Sequence, residues 1–423
     1  MKKYEWVIVG GGVAGIAISE ILTREGHEVL LIEKNSKLAS GVTKDFHEWM
    51  HMGSLYTLIP DRLVTLKYIL GAVDDLIEYY SAFENMNLIS TENSFEMDLD
   101  NPKRWYNKNY IHFKFRVQNR KLTFPWLMGI ARAKFLIEYI QHHDWLRRRA
   151  GVIDISKKDY INSVIKTFKE LVFYKDKFLP VKTADFTMNS RNLLRDLVAT
   201  SVNNGLEVSL ENEVLDFYKE NNEYIINTKK GKFKADKIVL SCAENIKNFL
   251  DVKIQTTYAP MAVVDNLPKD AYSFVELDYF PKNCINLLTK DGSAGLIGGI
   301  TVNKMEDTEN YINYVIREHK KYFPNMRVLK KYVGLKNEIV FPGQDRNYLY
   351  HIVKEDNENV WSVVPGKFSL AFSLAPEFYR QVYKTNPRKS FKTYSDNGEY
   401  TELVDNTKWQ ESIKTQGENN GND

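Results

Sequence analysis

Apolar residues follow two different patterns in the first forty positions of the chain. Residues 6–9 form an unbroken apolar run that predicts a buried strand, and the apolar spacing over 16–22 predicts a helix that ends near Gly26. A second apolar run at 29–32 predicts another strand. Because a helical crossover returns the chain in the same direction, we expect the two strands to be parallel neighbours in a β-α-β unit.

The rest of the chain alternates between helical and strand patterns. Helical spacing predicts helices over 62–83, over 127–175 with an interruption near Gly151, and over 190–203, 307–322 and 369–383. Strand patterns occur at 206–210, in a hairpin-like pair over 213–236 and at 237–240. Residues 95–126 and 251–335 alternate short apolar or aromatic runs with turn residues, which favours a separate layer of mostly antiparallel strands.

Composition and charge limit the classes of function. A chain of 423 residues and 49.3 kDa is long enough for two or three domains, and 43% hydrophobic residues with a mean hydropathy of -0.41 are typical of a globular protein. The net charge of +3 is too small for a nucleic-acid surface. The cysteines Cys242 and Cys284 are expected to be reduced thiols in the cytoplasm.

The chain has no apolar run of the roughly 18 residues that cross a bilayer, so we expect no membrane span. Lys2 and Lys3 before an apolar stretch are superficially similar to a secretion signal. Glycines interrupt that stretch and no small-residue cleavage site follows it, so we interpret it as a folded element.

The glycine pattern Gly10-x-Gly12-x-x-Gly15 lies between the first predicted strand and helix. In a dinucleotide site the first glycine permits a tight turn, the second lets the backbone approach a pyrophosphate, and the third brings helix and strand together. Glu33 follows the second strand, where a carboxylate accepts hydrogen bonds from ribose hydroxyls. This acid disfavours a 2′-phosphate, so the pattern predicts FAD or NAD rather than NADP.

The segment Leu31–Thr43, with His51-Met-Gly53 after it, resembles FAD-dependent oxidoreductases of the D-amino-acid oxidase (DAO) superfamily. It is most similar to the branch with L-2-hydroxyglutarate dehydrogenase and glycerol-3-phosphate dehydrogenase. Asn212-Glu213-Val214 resembles the family segment beside the adenine, and residues 364–369 resemble its C-terminal flavin loop. The resemblance implies FAD bound by Gly10, Gly12, Val13, Ala14, Gly15, Glu33, Lys34, Thr43, Gly53, Val214, Ala243, Gly366, Lys367, Phe368 and Ser369.

The resemblance and the patterns together predict an α/β fold. A Rossmann-like FAD-binding domain with three layers and a mostly parallel sheet is expected from residues 1–95, 180–250 and 336–390. A second, α+β substrate domain on an antiparallel sheet is expected from 96–179 and 251–335. Residues 416–423 lack apolar side chains and are expected to be a disordered tail.

Three residues are candidates for catalysis. His51 either faces the flavin and takes a proton from the substrate, or is a core histidine bonded to backbone. Arg346 and His351 fall in the region of the family's substrate-facing strand, where an arginine binds a carboxylate bidentately. A solvated turn arginine is the alternative for Arg346.

His47-Glu48-x-x-His51 also matches the H-E-x-x-H pattern of zinc hydrolases, which requires both histidines on one helix face. The predicted reaction is instead that of an FAD-dependent dehydrogenase or oxidase, which removes a hydride from a C–OH or C–NH carbon of a small polar substrate to flavin N5. Oxygen, a quinone or a carrier protein would reoxidise the flavin. A flavin-binding protein without turnover is the other alternative. Bulky residues at 46–49 depart from the family pattern, so no known substrate can be transferred to this chain.

Overall fold

The computed structural model describes residues 1–59, 61–90, 95–117, 124–142, 156–278, 283–290, 292–340, 349–355 and 358–420. Its helices are α1 (Val13–Arg24), α2 (Val64–Tyr80), α3 (Phe124–His142), α4 (Lys157–Val172), α5 (Ser190–Asn203), α6 (Thr308–Tyr322), α7 (Ala371–Tyr383) and α8 (Lys408–Asn420). Within these ranges, none of the helices is long and apolar enough to cross a membrane.

The strands form two large sheets and one small hairpin. They are β1 (Lys3–Val9), β2 (Val29–Ile32), β3 (Trp49–Met50), β4 (Leu88–Ser90), β5 (Phe95–Met97), β6 (Tyr106–Arg116), β7 (Phe178–Met188), β8 (Glu207–Ser209), β9 (Val214–Glu220), β10 (Glu223–Thr228), β11 (Gly231–Leu240), β12 (Ile254–Asp265), β13 (Phe274–Leu277), β14 (Ile285–Thr289), β15 (Gly295–Gly299), β16 (Arg327–Ile339), β17 (His351–Lys354) and β18 (Val360–Val364).

The first sheet has the strand order β17-β18-β11-β1-β2-β8, and β9 and β10 extend it as a hairpin beside β11. The neighbours from β18 to β8 are parallel, so the carboxyl ends of β1, β2 and β11 lie at one edge. Alternate residues of β1 face opposite sides: Trp6 and Ile8 pack with helices α1, α5 and α7, and Val7 and Val9 pack with the hairpin side. Burial on both faces explains why the sequence shows an unbroken apolar run here.

The second sheet has the order β16-β12-β15-β14-β13-β6-β7-β3. Helix α6 packs on one face through Tyr311, Ile312 and Val315. The opposite face packs partly on α3 and α4 and is otherwise open toward the first sheet. All pairs are antiparallel except β6 with β13, so the sheet is mostly antiparallel, as the sequence pattern favours.

The predicted fold class is confirmed: the molecule is α/β with a mostly parallel first sheet and a second sheet in a separate layer. Two domain boundaries differ from the predicted ones, because β3 and all of β7 pair in the second sheet. Helix α8 runs through residues 416–420 of the tail, whose predicted disorder stays a prediction. Apolar Trp409, early in that helix, packs on the second core and anchors it, whereas residues 421–423 lie outside the described range.

Candidate functional site

A cavity of about 840 Å³ lies between the two sheets. The first sheet contributes the turn after β1, the ends of β2 and β11, and the loop between β18 and α7. The second contributes side chains of β12, β13, β14, β15 and β16. The site is thus made by two layers, and its residues come from the whole length of the chain.

The glycine turn after β1 is closed on one side and open on the other. A Cβ on Gly15 would lie 2.0 Å from the Gly10 carbonyl oxygen, so helix and turn are in direct contact there. Gly10 has a φ of +105°, which favours glycine. A Cβ on Gly12 would meet only Thr43 Oγ1, at 3.3 Å, and Gly12 lines the cavity. The turn therefore forms a cradle in which a ligand can contact the backbone directly, because no side chain intervenes.

Glu33 is held at the end of β2 beside this cradle. Its Oε2 accepts a hydrogen bond from the Gly11 amide at 2.7 Å, and its Oε1 accepts from the Asn35 amide at 2.9 Å and from Asn35 Nδ2 at 2.7 Å. The carboxylate is ordered by these donors and still lines the cavity. This is the arrangement that a ribose diol requires.

A second loop faces the cradle across the cavity. Gly366 has a φ of +65°, and residues 366–369 line the cavity just before α7 begins. Phe368 stacks on Phe46 with a centroid distance of 4.1 Å and an interplanar angle of 10°. These three features fit the parts of FAD. The bare glycine turn fits the diphosphate, Glu33 fits the ribose, and the loop at 366–369 fits the ring.

His51 follows β3 and lines the same cavity. Its ring stacks on Trp49 at 4.3 Å, and its Nδ1 is buried without a hydrogen bond, 3.8 Å from Asp185 Oδ2. Asp185 is itself held by Trp49 Nε1 at 2.9 Å and by the amides of Met52 and Ser54. Burial lowers the pKa of His51 to about 4, against the opposing effect of Asp185. The imidazole is therefore neutral at pH 7.

His47 is a second neutral imidazole in the cavity. Burial lowers its pKa to about 4, and the nearby His51 and Lys290 add to the effect. Its Nε2 lies 3.3 Å from the position that a Cβ on Gly298 would take, so glycine at 298 leaves room for the ring. Asn286 pairs with Gly298 across the β14–β15 ladder, and its Oδ1 is buried without a partner. This part of the cavity presents polar groups that are open to a ligand.

Glu48 points away from the cavity into the protein. Its Oε1 accepts hydrogen bonds from the Ser190 amide at 3.0 Å and from Ser190 Oγ at 2.6 Å. Its Oε2 accepts from Lys290 Nζ at 2.5 Å and from Trp409 Nε1 at 2.7 Å. Glu48 has a φ of +63° and precedes a strand, so residues 47–51 are not helical. The zinc interpretation of His47-Glu48-x-x-His51 is wrong, because it requires two histidines on one face of a helix.

Most of the residues predicted to bind FAD line the cavity. They are Gly10, Gly12, Val13, Ala14, Glu33, Lys34, Thr43, Val214, Ala243, Gly366, Lys367, Phe368 and Ser369. Gly15 and Gly53 do not line it: Gly15 is the contact with Gly10, and Gly53, with a φ of +106°, abuts Leu66 and Leu70.

The three catalytic candidates are not brought together. His51 lines the cavity, but His351 lies on β17 opposite Val364 and is not among the lining residues. His351 thus lies on the edge strand of the first sheet, and its assignment to the substrate site stays a prediction. Arg346 lies outside the described residues.

Several lining residues have no signal in the sequence. Asp45, Asn286, Lys336 and Lys408 reach the cavity from different parts of the chain. Burial raises the pKa of Asp45 to about 6. In the sequence, only residues 46–49 indicate that this region is unusual, because their bulky side chains depart from the family pattern.

Comparison with known proteins agrees with this geometry. Residues 5–159 match the family model DAO, described as FAD dependent oxidoreductase. No curated protein sequence matches the chain. The FAD-bound L-alpha-glycerophosphate oxidase of Mycoplasma pneumoniae has a similar structure, with 15% identity, a TM-score of 0.62 and coverage of 97% of this chain and 100% of that one.

Two further solved structures share the fold. Glycine oxidase from Geobacillus kaustophilus is 14% identical, with a TM-score of 0.59 and coverage of 95% and 98% of the two chains. L-proline dehydrogenase from P. horikoshii is 13% identical, with a TM-score of 0.58 and coverage of 91% and 94%. The family match agrees with the superfamily, the FAD cofactor and the oxidoreductase class that the sequence predicted, and the solved structures share the fold.

Proposed function

We propose that this chain, an FAD-dependent oxidoreductase of the D-amino-acid oxidase superfamily, oxidises a C–OH or C–NH bond of a small polar substrate. The observation that carries the proposal is the row of unpartnered or neutral polar groups on the second sheet's side of the cavity. Asn286 Oδ1 is buried without a hydrogen bond, and His47 and His51 are neutral imidazoles in the same cavity. Buried polar atoms that lack partners in the protein are suited to a polar ligand.

When bound, FAD supplies the hydride acceptor, and the protein must then remove the proton of the hydroxyl or ammonium group. His51 is suited to this step because its imidazole is neutral at pH 7. Its Nδ1 faces Asp185, which leaves Nε2 to accept the proton. The fixed Asp185 carboxylate would stabilise the imidazolium that results.

The polar groups near Gly298 would orient the substrate. The Asn286 amide can bind a hydroxyl, amine or carboxylate group, and the neutral His47 can donate or accept one hydrogen bond. Lys367 also lines the cavity, and its positive charge favours a substrate with an acidic group. We place the reacting carbon among His51, His47 and Asn286.

The test is an anaerobic screen of the FAD-loaded enzyme with 2-hydroxy acids, 2-amino acids and sugar derivatives. We expect one class to bleach the oxidised-flavin absorbance. Readmission of oxygen, or addition of a quinone, then identifies the acceptor by recovery of the absorbance. A fully loaded enzyme that no compound bleaches would contradict the proposal and would favour a flavin protein without turnover.

The cellular compartment and the acceptor remain part of this proposal. Cys242 and Cys284 are both free thiols, which supports a reducing compartment such as the cytoplasm. Oxygen, a quinone and a carrier protein are the candidate electron acceptors.

A further inference from the structure

The cavity continues past its polar groups into an apolar chamber. Leu55, Leu58, Trp126, Val275 and Leu277 line it, and all of them pack in the hydrophobic cluster between the second sheet and helix α3. None of these residues lies on the first sheet, where the FAD cradle is. The chamber therefore belongs to the substrate side of the cavity.

The strand register fixes where polar lining changes to apolar lining. Gly298 of β15 pairs with Asn286 of β14, and Asn286 pairs with Val275 of β13. Paired residues point to the same side of a sheet, and neighbouring strands are about 4.8 Å apart. The apolar surface thus begins one strand from Asn286, a distance of three to four carbon–carbon bonds.

Trp126 is fixed in the lining of the chamber by a hydrogen bond of its indole nitrogen. Trp126 Nε1 donates to the Arg116 carbonyl oxygen at 3.0 Å, and Arg116 Nε lies 3.1 Å from Asp278 Oδ2. The hydrogen bond from its indole nitrogen holds Trp126 in place, and Asp278 itself lines the cavity next to Leu277. The indole ring is left as an apolar wall.

We propose that the substrate carries an apolar group of several carbons, linear or aromatic, attached within three to four bonds of the reacting carbon. The apolar group occupies the chamber formed by Leu55, Leu58, Trp126, Val275 and Leu277. The C–OH or C–NH carbon lies at its polar end. This inference rests on the proposed function and narrows its substrate to 2-hydroxy or 2-amino acids that have the polar reacting end at one side and an apolar chain at the other.

The experiment uses two series of ligands on the FAD-loaded enzyme. Straight-chain alkanoates from propanoate to octanoate cannot be oxidised at a 2-hydroxyl or 2-amino group, and their binding is read from shifts of the flavin absorbance bands. Straight-chain 2-hydroxy and 2-amino acids of matched length report turnover by anaerobic bleaching. We expect affinity in the first series, and kcat/KM in the second, to rise about fourfold per methylene until the chamber is full.

A matched pair of variants tests the location. Leu58 lines the chamber, whereas Leu127 packs on the same hydrophobic cluster without lining the cavity. We expect Leu58→Ser to flatten the dependence on chain length and Leu127→Ser to leave it unchanged. An equal dependence in parent and Leu58→Ser would overturn the assignment of the chamber.

The two series separate this inference from the proposed function. Alkanoates that bind more tightly with length, while no hydroxy or amino acid bleaches the flavin, would support the chamber and contradict the proposed function. Bleaching by short acids without any gain in either series would support the function and overturn the chamber.

Discussion

The buried histidines show how the surroundings of one residue set its chemistry. His51 has a pKa lowered to about 4, so its proton-accepting form dominates over the neutral pH range and is lost only as the pH falls toward 4. We expect His51→Asn to slow flavin reduction by about 10²- to 10⁴-fold with normal FAD content, measured by anaerobic stopped-flow absorbance.

The parent enzyme supplies the pH test of the same residue. Its reduction rate should stay level from pH 7 to pH 5 and decline below that. A decline centred near pH 6.5 would show that an ordinary exposed imidazole controls the step. His351→Asn is the matched control, because His351 lies on β17 outside the lining, and we expect little change in its rate.

Glycine at position 12 is required for cofactor binding rather than for folding. Its missing side chain faces the cavity, so Gly12→Val should abolish FAD binding while circular dichroism stays that of the parent. Gly71→Val is the control, because a Cβ there meets nothing within 4 Å. Normal flavin absorbance in purified Gly12→Val would show that no pyrophosphate approaches this turn.

At the scale of elements, Glu48 joins three separate parts of the chain: α5 through Ser190, the end of β14 through Lys290, and α8 through Trp409. Lys290 and Glu48 are both buried, with side-chain exposures of 5% and 1%. Removing the charge of one partner leaves the other unpaired in a poorly solvated place. We expect Glu48→Gln to lower the free energy of unfolding by about 3–5 kcal/mol, measured by urea denaturation.

Two comparisons show whether the lost ion pair is the cause. Glu48→Gln combined with Lys290→Met should recover much of the stability, since no buried charge is then left alone. Glu309→Gln breaks the exposed pair with Lys331 and should hardly move the denaturation midpoint. A double variant no more stable than Glu48→Gln alone would assign the loss to Ser190 and Trp409 instead.

At the scale of the whole molecule, the last helix closes one side of the cavity. Lys408 lines the cavity, and Glu411 and Asp405 both pair with Lys44. Deleting residues 407–423 should therefore lower the melting temperature and speed FAD loss on dilution, measured by flavin fluorescence. Deleting residues 417–423 alone should change neither the melting temperature nor the rate of FAD loss. Normal FAD retention after the longer deletion would show that the helix does not close the cavity.

Local sequence patterns predicted the FAD-binding side of the site, whereas the polar side on the second sheet depends on how distant strands pair. Gly12 and Glu33 were recognisable because the turn and the following strand are contiguous in sequence. Asn286 and His47, by contrast, both lie beside Gly298 only because of strand pairing that no local pattern encodes. Helix α8 is positioned in a related way, because Trp409 Nε1 donates to Glu48, far away in sequence.

The order of strands in the first sheet affects biosynthesis. β1 carries the glycine turn and is made first, yet its neighbour β11 spans Gly231–Leu240 and the flanking β18 spans Val360–Val364. On the ribosome, β1 can pair early with β2, but its other edge lacks its neighbour until β11 is translated. The vitamin-derived coenzyme is thus captured only near the end of synthesis, and cells short of riboflavin should accumulate this enzyme as insoluble, newly made chains.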